Sequence, residues 1–224
     1  MRKSTFLVVA AGLAAALVAG GLFASNMGFK LNYEIQDSVA AGGGSGQSTI
    51  ALPFNQQTNI GDAFDLITDI NTAAGGSVVA QVAQFDAQTN LLASYNGSIG
   101  TAFPILGGEG YVVQVTSLVN YVIVGSHDPS LVVALDAQGT NGSASGQNFI
   151  AYPYHSTSAD AKDLIDEVDA ASAPGNTVAI SFLSKTTNLL NSYNGSIGTA
   201  FPLVAGESYV IQVLADVAWV PSHY

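Results

Sequence analysis

Histidines, carboxylates and aromatic rings are the side chains through which this 224-residue chain could act on another molecule. The histidines are His127, His155 and His223. Imidazole beside a carboxylate would suit a metal site or an exported hydrolase, and Asp128 directly follows His127. No H-x-x-x-H or H-E-x-x-H spacing occurs, however, and His223 is followed by Tyr224 where Asp128 would have to recur. These histidines are read as turn residues. A second set comprises Asp62, Asp65 and Asp69, with Asp160, Asp163, Asp166, Glu167 and Asp169. A calcium loop spaces its oxygens along a turn with a glycine pivot. Here the acids fall at helical spacing and begin where a helix dipole favours them, which predicts a solvated helix face. Glu109 and Glu207 each lie in a glycine-bearing turn before a tyrosine, with no second acid at fixed spacing. Cysteine is absent, as are a G-x-S-x-G elbow, a P-loop and a G-x-G-x-x-G turn. The expectation is no catalytic residue, no cofactor and no metal ligand; an exported hydrolase using His155 or His127 is the third reading.

Aromatic rings permit a different function. Tyr95, Tyr193 and Trp219, together with Phe54, Tyr121, Tyr152 and Tyr154, could form a ligand-facing platform for sugars. A secreted carbohydrate-binding module is therefore the alternative to a structural role. The competing reading puts the same rings in or beside the core. Asn96, Asn141 and Asn194 open N-G-S sequences that fit a glycosylation acceptor, although turn chemistry accounts for Asn96-Gly97 and Asn194-Gly195 equally well.

The elements that would position these residues occur twice. Residues 89–104 read TNLLASYNGSIGTAFP and residues 187–202 read TNLLNSYNGSIGTAFP, differing only at Ala93 against Asn191. Such a match predicts a tandem duplication. Gly46-Gln47 recurs 100 residues on as Gly146-Gln147, while the long match is offset by 98, because the first copy has two extra residues before its helix. Leu31, Tyr33 and Ile35 fall on Leu131, Val133 and Leu135, an alternation that describes a half-buried strand. Ala63, Leu66, Ile67 and Ile70, matched by Ala161, Leu164, Ile165 and Val168, give a helical stripe, with Asn59 and Thr157 placed as N-caps. The remainder alternates as short strands, and Asn96-Gly97 suits a type I′ hairpin. The predicted fold is a β-rich α+β chain of two repeats of about 100 residues, each with several short antiparallel strands and one amphipathic helix. The boundaries are residues 1–24, 25–125 and 126–224.

The first of these segments reads as a signal peptide: Arg2 and Lys3, an uncharged run over residues 5–24, and a small residue at Ala24. An uncleaved anchor is the rival, since about 20 apolar residues could span a bilayer. Cleavage after Ala24 would start the mature chain at a repeat boundary, which favours it. Lys30, Lys162 and Lys185 then face all 16 acids. A surface this acidic repels phosphate backbones, so nucleic acid is excluded as a partner. Secretion to the exterior or the cell surface is expected, with membrane contact only through the signal segment.

The order P-(F/Y), a D-L-containing helix, S-Y-N-G, F-P, G-E-x-Y-V and a closing aromatic resembles repeat modules of secreted and cell-surface bacterial proteins. Many such modules have no assigned activity. The segment from Phe85 to Tyr95 is also similar to part of a kelch blade, but the helix and the long period argue against a propeller. The leading expectation is a structural or adhesive protein, with self-association or cell-surface partners. Its sharper form is a filament in which Leu31, Tyr33 and Ile35 lie on an N-terminal assembly strand added head-to-tail to the next subunit.

Overall fold

The computed structural model describes residues 28–40, 42, 46–53, 55–56, 59–126, 128 and 130–222. The predicted signal segment, Phe54, His127 and His223 lie outside that set. The described chain is β-rich α+β, with antiparallel strands in four sheets and two helices.

The N-terminal half contains β1 (Phe29–Ile35), β2 (Gln47–Ala51), β3 (Asn55–Gln56), α1 (Ala63–Ala74), β4 (Val79–Asp86), β5 (Leu91–Tyr95), β6 (Gly110–Val115) and β7 (Val119–Ser126). The C-terminal half contains β8 (Val133–Leu135), β9 (Gln147–Ala151), α2 (Ala161–Ala170), β10 (Thr177–Leu183), β11 (Leu190–Tyr193), β12 (Ser208–Val213) and β13 (Val217–Trp219). A four-stranded sheet runs β2-β6-β4-β5 in the first half and β9-β12-β10-β11 in the second. Beside each lies a smaller sheet, β1-β7-β3 and β8-β13 respectively.

Period-two alternation builds these smaller sheets. Residues 29, 31, 33 and 35 of β1 turn inward while 30, 32 and 34 face solvent, because successive side chains leave a strand on opposite faces. Val119, Tyr121 and Ile123 of β7 do the same opposite them. Each half has its own apolar core, closed by its helix. Ala63, Leu66, Ile67 and Ile70 are buried in one core, and Ala161, Leu164, Ile165 and Val168 in the other. Among the described residues, no helix is long and apolar enough to cross a membrane.

The helix caps differ from expectation. Asp62 and Asp160, not Asn59 and Thr157, are the N-caps. Asp62 accepts hydrogen bonds from the Phe64 and Asp65 N–H groups at 2.9 Å, and Asp160 from those of Lys162 and Asp163. The approach to each helix is held extended by the F-P motif: Ala63 N–H donates to Phe103 O and Ile105 N–H to Gly61 O. Ala161 N–H to Phe201 O and Leu203 N–H to Ala159 O repeat the arrangement. Helix cannot begin until this short β-bridge ends, so the cap moves to the aspartate.

The N-G dipeptides are not type I′ hairpin corners. Gly97 and Gly195 have positive φ, but Asn96 and Asn194 do not, and a type I′ turn needs both. Instead the Asn96 side-chain oxygen accepts from the Ser98 and Ile99 N–H groups, and Asn194 accepts from those of Ser196 and Ile197. Gly100 and Gly198, also at positive φ, pass so close to Ser94 O and Ser192 O that a Cβ would collide. The near-identical stretch is thus an Asn-capped loop running from an edge strand to the bridge that starts the helix.

Candidate functional site

Sequence-selected residues turn out to be largely committed to the fold. Leu31, Tyr33 and Ile35 do not wait for another subunit. β1 pairs with β7 of the same chain along its whole length, from Phe29 opposite Gly125 to Ile35 opposite Val119. All three side chains are buried, and the Tyr33 hydroxyl donates to Ala51 O. Burial pushes the Tyr33 hydroxyl far above its ordinary value near 10.

The aromatic platform is corrected in the same way. Trp219 is 0% exposed, and its Nε1–H donates to Glu167 Oε1 at 3.0 Å. Tyr193 is 9% exposed and its hydroxyl donates to Gly195 O, while Tyr95 packs partly buried against the first core. Trp219 belongs to the small sheet β8-β13, whereas Tyr95 and Tyr193 end the edge strands β5 and β11 and turn into the cores from there. Tyr121, in the position equivalent to Trp219, is likewise enclosed, and its hydroxyl donates to Asp69 Oδ2 at 2.7 Å. Burial, then the adjacent Asp69 carboxylate, push this phenol far up.

The helical acids are accordingly more than a solvated face. Glu167 also accepts from the Ser222 N–H at 2.6 Å and from the Ser158 hydroxyl. Asp169 accepts from the Gly175 and Thr177 N–H groups, anchoring the return from α2 into β10. Asp65 and Asp163 reach back to Gly61 N–H and Ala159 N–H. Among the described residues, no three His, Asp or Glu side chains converge as a metal site. His155 lies edge-on to Phe29 and Tyr154, in a cluster that joins the two halves.

Among the described residues, two features bear on contacts with other molecules or between the halves. The first is the pair of outer sheet edges, β5 and β11, each the terminal strand of its sheet. Leu91, Leu92 and Ala93 are all exposed along β5, so apolar side chains face solvent on both sides of the strand. Leu189 and Leu190 are exposed at the matching edge, and Ile99 and Ile197 stand out at 75% beside them.

The second feature is the contact between the halves. Ala51 N–H donates to Gly206 O at 2.7 Å, and Ala151 N–H donates to Gly108 O at 2.9 Å. These are the same contact made in both directions, the signature of an approximate two-fold axis. Gly110 and Ser208, themselves equivalent positions, meet where that axis passes, and the Ser208 hydroxyl donates to Ile50 O. The contact between halves is therefore reciprocal, and it offers no template for a head-to-tail contact repeated between chains.

Two equivalent clefts flank this axis, and they differ. One, of about 80 Å³, lies between β1, β2 and the turn at Gly206 and Glu207. Tyr33 and Lys185 line it, and Lys185 Nζ is 3.2 Å from Glu207 Oε1. The other, of about 300 Å³, lies between β8, β9 and the turn at Gly108 and Glu109. Val133 there replaces Tyr33, Ala134 replaces Glu34 and Ala87 replaces Lys185. Sequence reasoning missed both clefts, although the unequal residues at aligned positions of the two halves were visible. No protein-family model matches the chain, and no curated protein or solved structure matches it either.

Proposed function

We propose that this chain is an exported structural or adhesive component of the cell surface, built from two tandem copies of one α+β module. It self-associates through its outer sheet edges. The observation that carries this reading is β5, an edge strand with leucine and alanine side chains exposed along it. An edge strand presents a row of backbone N–H and C=O groups, and exposed apolar side chains make burial by another strand favourable. Native chains protect such edges with lysine, proline or a covering loop. Within β5 and β11 there is none of these residues.

The occupant is a second copy of this chain. Each chain carries two such edges with nearly the same sequence, so β5 of one copy laid against β11 of another would extend one sheet into the next. Because each added chain uses one edge and leaves the other free, the association is open-ended. Export rests on the basic, apolar and small-residue order of residues 1–24, and the acidic, cysteine-free composition suits a protein stabilised by burial and assembly.

Sedimentation and electron microscopy of the chain beginning at Ser25 test this reading. Concentration-dependent oligomers or fibres are expected, and Leu92→Lys with Leu190→Lys should return them to monomers. A wild-type chain that stays monomeric at millimolar concentration removes the proposal, as does assembly unaffected by the paired lysines.

A further inference from the structure

The two clefts beside the approximate two-fold axis supply an internal comparison. In the smaller cleft the chain carries its own occupant: the Lys185 ammonium group sits 3.2 Å from Glu207 Oε1, with both side chains about two-thirds shielded. Glu207 is further held by the Tyr209 hydroxyl, which donates to Oε2 at 3.5 Å. Tyr33 fills much of the remaining space, its ring against Gly206.

In the larger cleft the acceptor is retained and the occupant is missing. Glu109 stands at the position equivalent to Glu207, and its Oε2 accepts from the Tyr111 hydroxyl at 3.0 Å. The lysine position is Ala87, and the tyrosine position is Val133. A four-carbon stem, an ammonium group and a phenol ring have all been cut back around a preserved carboxylate. The volume rises accordingly, from about 80 Å³ to about 300 Å³. Each cleft has two carboxylates, Glu34 and Glu207 in the smaller and Glu109 and Asp136 in the larger, where Asp136 Oδ1 accepts from Asn141 Nδ2 at 2.7 Å; no lysine, arginine or histidine lines the larger cleft among the described residues. Phe85, Leu131 and Phe149 supply apolar wall.

We propose that the larger cleft binds a primary alkylammonium group, with Glu109 accepting the charged head as Glu207 accepts Lys185. An ammonium ion beside a partly shielded carboxylate gains charge-assisted hydrogen bonding, and its alkyl stem is covered by the apolar wall. An anion would meet two carboxylates there with no cation to offset them. The same group could arrive as a free diamine or as a lysine side chain of a peptide. This inference is independent of the edge-association reading.

The test is calorimetric titration of the chain beginning at Ser25 with 1,5-diaminopentane, with 1,5-pentanediol as the neutral isostere. A second arm uses Nα-acetyl-lysine-methylamide against its Nε-acetylated form. Binding of one equivalent of diamine, at least tenfold tighter than the diol, is expected, and Glu109→Gln should weaken it at least tenfold. Two further variants use the internal comparison. Ala87→Lys rebuilds the missing occupant and should abolish binding without unfolding the protein, read by unchanged Trp219 emission. Lys185→Ala empties the smaller cleft's acceptor and should add a second, weaker equivalent. Binding by the lysine amide identifies a peptide lysine as a fitting source, and binding by the diamine alone identifies a free amine. Equal binding of diamine and diol, no binding of either amine at 10 mM or so, or full binding by Ala87→Lys would overturn the proposal.

Discussion

Gly110→Ala is the most direct probe of how the halves meet. Gly110 opens β6 at the approximate two-fold axis, opposite its equivalent, Ser208. A Cβ built on Gly110 would lie 2.6 Å from Ser208 Cβ, 2.8 Å from Ser208 Oγ and 3.1 Å from Ile150 O. Ordinary carbon contacts sit near 3.5–4.0 Å, so the overlap approaches roughly 1 Å. Ser208 cannot rotate away freely, because its hydroxyl donates to buried Ile50 O at 2.6 Å. Breaking that bond would cost about 1 kcal/mol. Forcing the halves apart would cost about 1–3 kcal/mol, as for an overpacked contact. Removing glycine's freedom from the unfolded chain offsets about 0.4–1 kcal/mol of this. The net expectation is a loss of about 1–2 kcal/mol. Ser208→Gly removes the two closest atoms, so it should be destabilising alone yet neutral or favourable in the Gly110→Ala background. That coupling, about 1 kcal/mol or more, would be read from urea midpoints followed by far-UV circular dichroism and Trp219 fluorescence. Gly110→Ala with an unchanged midpoint, or Ser208→Gly equally costly in both backgrounds, refutes the reciprocal contact.

Other consequences are as specific. Tyr33, Tyr111, Tyr121 and Tyr209 all have hydroxyls raised chiefly by burial. Their neutral forms are favoured by the fold, so this stability is intact below pH 10 or so and is lost as pH rises above it and the unfolded chain ionises. Ultraviolet titration should show these phenols ionising only with unfolding; nine tyrosines titrating reversibly together near pH 10 would contradict it. Asp62→Ala should cost about 0.5–2 kcal/mol through the lost cap, whereas Asn59→Ala should change stability little; the reverse order in thermal melts would restore the sequence-based cap. Trp219→Phe keeps a ring but deletes the Nε1–H donor to Glu167, and about 1.5–3 kcal/mol of stability should go with that charged hydrogen bond. Retention of the wild-type melting temperature would mean the bond is dispensable.

Local patterns were legible in the sequence, and long-range partners were not. Alternation in β1 and the four-residue stripes of α1 and α2 read correctly, because burial on one face leaves a period. The helix caps read wrongly because a β-bridge to Phe103 and Pro104, some 40 residues away in the chain, delays the start of helix. Trp219 and Tyr193 fitted a core as well as a ligand platform, because residue type alone does not say which face of a strand is covered; the structure puts them in the core. β1 looked available because its partner β7 lies about 90 residues downstream. For the clefts the signal was present as Tyr33 against Val133 and Lys185 against Ala87. It acquires meaning only once the two-fold contact brings those positions to the same boundary.

That reciprocal contact is strengthened by being intramolecular. Residues 127–132 join β7 to β8, so the two halves are held near each other by a short tether. A tether of this length sets a local concentration on the order of millimolar. The surface around Gly110 and Ser208 therefore needs only modest affinity to stay closed within one chain. Cut into separate polypeptides and mixed at micromolar levels, the halves would meet about a thousandfold less often, and an interface adequate within one chain would drift apart.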